Sequence, residues 1–598
     1  MKSNLDEDFK KTNTNDKKLL QKTLRYIKPY KKQFISAFIF MAMTVLLDLL
    51  FPFLSGLAID VMSNQTITTN QKYLILVIAT VILVIVVLIT QVVAYYQQVI
   101  LQKIGFDITD TIRQEVFIHI EKLAIGQINE IPIGKLVTRA TNDPNAISDM
   151  YTNVIINLIR NIVYLVVILI TLYVINWLMA LVVTALLPFI LISAILFKNF
   201  SRKAYRNVRT NVTNVNAFLS ENLSGMKVTQ IFNQENKKIN EFRKRNKELT
   251  KSYMTEIYIF GIFRPFIYFL AMSGTVLTII VGQNAIENGL ITVGSFVTFY
   301  LLVGQFFEPI QQMSEQFNAL QSGFASSEKV FDVLETEPDI TDEIDAINLE
   351  SFKGHIEFKN VWFYYENENW ILKDVSFEVK PSETVAFVGS TGSGKSTILG
   401  LIVRNYDIQK GQILIDGIDI KHITRSSLRR QIGQMLQDVF LFSGSIYENI
   451  NLKDENITLE DAKKASEYVG ADTFINELEG QYDYKVLERG NNFSSGQRQL
   501  ISFARAVAYK PSLMILDEAT ANIDSETENL IQESLKKMMN ISTMLIVAHR
   551  LSTIQHSDKI IVMQKGEIKE MGNHQQLLKK KGIYHGLYQL QFDKSQEK

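Results

Sequence analysis

Between residues 34 and 313 the chain carries six long apolar runs: Phe34 to Val61, Tyr73 to Tyr95, Val154 to Ile175, Trp177 to Phe197, Ile257 to Val281 and Ile291 to Met313. A helix of about 20 residues crosses a bilayer core of about 30 Å, so each run is long enough to span. A large soluble domain can also bury such helices, but Leu74 to Thr90 contains no charge, which favours lipid. A hydrophobic fraction of 47% points the same way. The connections Gln102 to Ser148 and Lys198 to Glu256 are long, charged and helical in pattern, so the spans are expected to continue well past the bilayer. Lys and Arg crowd between Lys10 and Lys32, whereas Ser63 to Gln71 has none. Placing the N-terminus and both long connections in the cytoplasm satisfies the positive-inside tendency with an even number of crossings.

Formal net charge is zero, so no overall excess of either sign argues for nucleic acid or another polyelectrolyte. With no cysteine, disulfides, thiolate metal sites and cysteine nucleophiles are excluded. The first residues mix Asp6, Glu7 and Asp8 with lysines and read as neither a signal nor a transit peptide.

After Glu335 the pattern changes. Short β-type runs, His355 to Phe363, Val375 to Val379 and Thr384 to Val388, alternate with amphipathic helical stretches, as in an α/β nucleotide-binding domain. Directly after the third run stand Gly389, Ser390, Thr391, Gly392, Ser393, Gly394, Lys395, Ser396 and Thr397. Glycines there let backbone N–H groups converge on phosphate oxygens at the positive end of a following helix. Lys395 is suited to reach the terminal phosphates and Ser396 to bind magnesium.

Ser512 to Glu518 is a buried-strand pattern ending in two carboxylates, which the fold places at the ligand-binding edge of the sheet. Asp517 suits magnesium held through water. Glu518 suits polarisation of an attacking water, because phosphoryl transfer is catalysed mainly by positioning and charge stabilisation. Ser494, Ser495, Gly496 and Gln497 precede an expected helix, Gln499 to Tyr509, and read either as donors for a phosphate or as an ordinary helix cap. In the membrane part, Asp48 lies midway along the first run and Glu308 beside Pro309 on the sixth. A charge at the bilayer centre costs about 2.5 to 3.5 kcal/mol, so these acids face either a substrate cavity or a structural partner such as Arg160 or Arg264.

With these motifs in this order, the chain resembles the exporter type of ABC transporter, a membrane domain fused to an ATPase domain. The resemblance implies residues 1–33 as a cytoplasmic segment with an elbow helix, 34–325 as an all-α six-helix transmembrane domain and 326–350 as a linker. Residues 351–598 become an α/β P-loop ATPase domain with a small antiparallel β subdomain. It further implies that Tyr365 stacks on adenine, Gln437 links magnesium to the membrane domain and His549 contacts the γ-phosphate. Ser494 to Gln497 then serve the nucleotide of a second half-transporter, and Gly134 to Asp143 and Glu221 to Phe232 dock on ATPase domains.

Ser495 departs from the family's usual L-S-G-G-Q, while Glu518 and His549 are retained. That combination resembles the catalytically complete subunit of a heterodimeric multidrug exporter. The implied activity is ATP hydrolysis with Mg2+, driving export of amphipathic compounds across the cell membrane. The alternatives are a homodimer, a lipid or lipopeptide flippase, and an ATP-gated channel or sensor.

Overall fold

The computed structural model describes residues 16–366, 368–436, 438–517, 525–539, 541–547 and 554–596. The chain forms two compact units, one of Met1–Glu121 with Ile133–Thr336, the other of Lys122–Pro132 with Glu337–Lys598.

The first unit is helical. Its elements are α1 (Asp16–Ile27), α2 (Lys31–Ser63), α3 (Thr69–Lys122), α5 (Ile133–Asp149), α6 (Ile156–Ile175), α7 (Trp177–Ser224), α8 (Met226–Ile231), α9 (Glu235–Glu287), α10 (Val293–Phe306) and α11 (Glu308–Leu334). The short helix α4 (Ile125–Glu130) lies between α3 and α5 in sequence but belongs to the second unit. Among the described residues, six helical segments are long and apolar enough to cross a membrane. At 54 residues α3 is about 80 Å long, far more than a bilayer needs. The charged connections are therefore the continuations of the spanning helices.

Within this unit α7 packs along α9, α2 along α10, and α11 along α5 and α6. One apolar core gathers Ile168, Leu172, Val183, Ile267, Phe299 and Phe306. A second gathers Ile104, Ile108, Ile112, Met150, Tyr151 and Val330. The fourth and fifth runs lie within single helices despite Pro188 and Pro265. The sixth is interrupted at Phe307, between α10 and α11. Pro309, at the start of α11, has no N–H for a preceding carbonyl and ends the ladder there.

Two glycines let α2 and α10 approach closely. A Cβ on Gly294 would lie 2.0 Å from the carbonyl oxygen of Gly56, and one on Gly56 would lie 2.5 Å from that of Gly294. Beside this crossing, Asp60 accepts hydrogen bonds from the Gly294 N–H (2.7 Å) and the Thr292 hydroxyl (2.7 Å), so it caps α10.

The second unit is α/β. Its strands are β1 (Ile356–Phe363), β2 (Leu372–Val379), β3 (Thr384–Gly389), β4 (Lys410–Ile415), β5 (Ile418–Asp419), β6 (Ile432–Met435), β7 (Gly444–Ser445), β8 (Lys485–Val486), β9 (Leu513–Asp517), β10 (Thr543–Val547), β11 (Lys559–Gln564) and β12 (Glu567–Gly572). One sheet has the order β12-β11-β3-β10-β9-β6, parallel except for β12. A smaller sheet, β2-β1-β4-β5, is antiparallel. Buried on both faces, β3, β9 and β10 read as continuous apolar runs rather than alternating ones. Helix α12 (Lys395–Ile402) packs into the core on one face, with Phe363, Phe387 and Ile561. Arg404, almost fully buried, donates to the carbonyl of Ile423 (3.0 Å) and pairs with Asp407 (3.3 Å).

Candidate nucleotide site and membrane polar cluster

β3 ends at Gly389 and α12 begins at Lys395, so the glycine-rich segment is the turn between a buried strand and a helix. Gly392 (φ +80°) and Gly394 (φ +101°) hold left-handed backbone that a side chain would strain, and a Cβ on Gly394 would meet Leu372 at 2.6 Å. Lys395 is buried and donates from Nζ to the carbonyls of Gly389 (2.9 Å) and Ser390 (3.0 Å), bridging the loop. The Ser393 hydroxyl is buried without a hydrogen-bond partner, a polar group that an oxygen-rich ligand in the loop would satisfy.

The parallel register puts Asp517 at the C-terminal end of β9, where it accepts a hydrogen bond from Ser396 (3.2 Å). A serine hydroxyl at the head of a helix beside a carboxylate is a hard oxygen pair, which fits magnesium. Tyr365 follows β1 and shares a 3.0 Å hydrogen bond with the Thr397 hydroxyl. Burial pushes its phenol pKa up, the Thr397 contact opposing, so the ring stays neutral at ordinary pH. Nearly half exposed at 48%, it presents aromatic surface beside the loop. The loop, Asp517 and Tyr365 thus come together at one edge of the unit. Gln437, Glu518 and His549 lie outside the described residues.

The serine-glycine segment departs from its expected boundary. Helix α17 spans Ser495–Ala508, so Ser495, Gly496 and Gln497 form its first turn rather than precede it. Ser494 is the N-cap: its hydroxyl accepts from the Gln497 N–H (3.2 Å), and the Gln497 side chain accepts from the Ser494 N–H (3.0 Å). This reciprocal capping box starts the helix early in spite of Gly496.

The first connection also differs from expectation. Gly134 to Asp143 lie on α5 in the helical unit, where Asp143 accepts from Ser326 (2.8 Å). The segment that belongs to the α/β unit is Lys122–Pro132, carrying α4. There Gln127 donates to the Glu337 carbonyl (2.9 Å) and accepts from the Asp339 N–H (3.2 Å). Helix α8 presents Met226, Val228 and Ile231, with Phe232 just beyond it, as exposed apolar side chains.

In the helical unit, Arg160 of α6 donates to Asp48 of α2 at 3.4 Å. Arg264 instead lies 5.7 Å over the ring of Phe260. Tyr164, one turn beyond Arg160, donates to Gln305 of α10 (3.0 Å). Glu308 is exposed and accepts from Gln312 on its own helix (3.2 Å). The Asp48–Arg160 and Tyr164–Gln305 pairs therefore join α2, α6 and α10, while Glu308 bonds within α11; Tyr164 and Gln305 carried no sequence signal. Asp60, with its glycine neighbours, was also missed, because its partners lie 232 and 234 positions away.

Comparison with known proteins places both units. Residues 34–310 match the family model of the ABC transporter transmembrane region, and residues 372–521 match that of the ABC transporter. An uncharacterized ABC transporter ATP-binding protein, YknV of Bacillus subtilis, is 37% identical over 95% of this chain and 94% of its own length. A probable multidrug resistance ABC transporter ATP-binding/permease protein, YheH of the same organism, is 36% identical over 83% of this chain and 74% of its own. An ATP-dependent lipid A-core flippase of Syntrophus aciditrophicus is 32% identical over 83% and 82%. The solved structure of a bacterial Atm1-family ABC exporter with ATP bound shares the fold, with a TM-score of 0.78, 24% identity and coverage of 94% of this chain and 99% of the other.

Proposed function

This chain belongs to the ABC transporter family as an exporter with membrane and ATPase regions fused, and we propose that it exports amphipathic compounds as the catalytically complete half of a heterodimer. The observation that carries this reading is the phosphate loop, with Lys395 and Asp517 at the sheet edge, on the same polypeptide as six membrane-spanning helices. ATP hydrolysis supplies the energy.

In this reading the loop from Gly389 to Thr397 wraps the phosphates, and Lys395 turns from its carbonyls to the terminal phosphates. Tyr365 stacks on adenine, Glu518 polarises the attacking water and His549 contacts the γ-phosphate. Ser396, Asp517 and Gln437 would hold Mg2+, which supplies charge neutralisation on the phosphate oxygens. The Ser494 to Gln497 turn faces a partner chain's nucleotide from the head of α17. The exposed apolar row of α8 supports a second chain, since such a surface on a cytoplasmic loop calls for cover. The retained Glu518 and altered Ser495 support a partner with the opposite pattern. Asp48, Arg160, Tyr164, Gln305 and Glu308 face the substrate, with one net negative charge favouring cationic amphiphiles. ATP binding draws the two ATPase domains together and turns the cavity outward; hydrolysis releases them.

The likeness to a lipid A-core flippase favours a second reading, in which the cargo is a lipid. Purification of the tagged chain with any co-purifying partner, followed by reconstitution, tests both. Stimulation of ATPase by cationic drugs, abolished by Glu518→Gln, supports the drug reading; stimulation by lipids alone supports the flippase. A chain that hydrolyses ATP alone at two equivalent sites overturns the heterodimer.

A further inference from the structure

Helix α4 rests on an aromatic ring. A Cβ on Gly126 would stand 2.7 Å from Cε1 and 3.2 Å from Cδ1 of Tyr406, so only glycine lets the helix backbone sit this close. Gln127, the next residue, fixes α4 to the chain at Glu337 and Asp339 through both ends of its amide. On its other sides the Tyr406 ring meets the edge of Tyr365, with centroids 5.0 Å apart and planes at 82°, and Phe363 at 5.7 Å. A Cβ on Gly400 of α12 would lie 3.9 Å from the same ring. Tyr365 is in turn tied to α12 through Thr397. Tyr406 therefore stands between α4 and the aromatic face beside the phosphate loop, with a glycine on each side of its ring.

We propose that Tyr406 is a positioning residue that couples the seating of α4 to the ring of Tyr365, and so sets nucleotide affinity through the base rather than through the phosphates. The inference rests on the reading that Tyr365 stacks on adenine. Helix α4 is joined covalently to α3 and α5, both of which continue into membrane-spanning segments. Displacement of α4 would move Tyr406 with it and remove the edge-to-face support of Tyr365. Loss of one such ring pair corresponds to about 3- to 10-fold in affinity. Among the described residues no hydrogen bond joins Gly126 or Tyr406 to the phosphate loop, so hydrolysis itself should be spared.

The test is steady-state ATPase kinetics of the reconstituted full-length transporter, with tripolyphosphate inhibition as a measure of binding that ignores the base. Tyr406→Ala and Gly126→Ala should each raise KM for ATP about 3- to 10-fold, with kcat within twofold and tripolyphosphate inhibition unchanged. Tyr406→Phe, which keeps the ring, should behave as the parent. Gly134→Ala, where a Cβ meets nothing within 4 Å, is the control for a neutral change in the same connection. Tyr365→Ala separates the two layers of the argument. If it raises KM while Tyr406→Ala and Gly126→Ala do not, the coupling is wrong and the adenine reading stands. If it leaves KM unchanged, the adenine reading fails and takes the coupling with it. Should Tyr406→Ala fail to fold, Gly126→Ala decides alone, and a fall in kcat at constant KM overturns the proposal.

Discussion

The phosphate loop of the α/β unit and the polar pairs of the helical unit are built by opposite rules. Within the phosphate loop the partners are neighbours in sequence: Lys395 bonds carbonyls five and six positions back, and Gly392 and Gly394 impose the turn by backbone conformation, while Asp517 and Tyr365 join it from 121 and 32 positions away. In the bundle, Asp48 meets Arg160 112 positions away, and Tyr164 meets Gln305 141 positions away. A loop written in consecutive residues announces its chemistry. Pairs assembled from separate helices do not, because an apolar run specifies that a helix crosses the bilayer without specifying which side of it faces a neighbour.

The largest expected effect tests the local rule. Lys395→Ala should reduce ATP turnover by about 100-fold or more, on the scale of losing a preorganised charge from a developing anion. The helical unit should keep its thermal midpoint in detergent. A comparable fall in that midpoint would show that the loop also stabilises the fold, and the contrast between the regions would weaken.

The long-range rule is tested at the glycine crossing. Gly294→Val puts atoms where the Gly56 carbonyl already lies 2.0 Å from the Cβ position, so overpacking of about 1–3 kcal/mol is expected. Thermal unfolding of the membrane-extracted protein should show the loss, while nucleotide affinity holds. A variant as stable as the parent would mean that α2 and α10 do not approach this closely.

A smaller change is expected at the membrane pair. Asp48→Asn leaves Arg160 without its carboxylate. Transport of a cationic dye should slow several-fold, and Asp48→Asn combined with Arg160→Gln should restore stability without restoring transport. If dye transport is unchanged in the single variant, the acid is structural and the pair serves only to orient α2 against α6.

The same contrast explains which features the sequence reveals. The six spans, the strand to Asp517 and the phosphate loop follow from hydropathy, from period and from glycines at fixed spacing, all of which act over a few residues. Helix α17 begins earlier than its apolar pattern suggests, because the Ser494 and Gln497 side chains satisfy each other's backbone donors. Helix α4 is only six residues long, too short to leave a periodic signal, and its docking glycine has meaning only beside Tyr406. Asp60 sits among apolar residues, with nothing nearby to distinguish a cap for α10 from a substrate contact.

The smallest effect expected concerns Ser495, where local and long-range requirements meet. In this chain the residue sits in the first turn of α17, and a side chain is acceptable to the helix there. Across a dimer the same position should bring backbone close to a partner's phosphate, where a glycine permits nearer approach. Ser495→Gly should therefore lose less than about 1 kcal/mol of stability, the helical cost of glycine. It should gain one better backbone hydrogen bond to phosphate, a factor of about 2 to 10 in turnover. The gain should appear only in the assembled transporter, and only at the site whose nucleotide this turn contacts, so single-turnover measurement of each site separately is the decisive readout. Equal turnover at both sites before and after the change would mean that Ser495 does not distinguish them, and that it serves only as a residue of the first turn of α17.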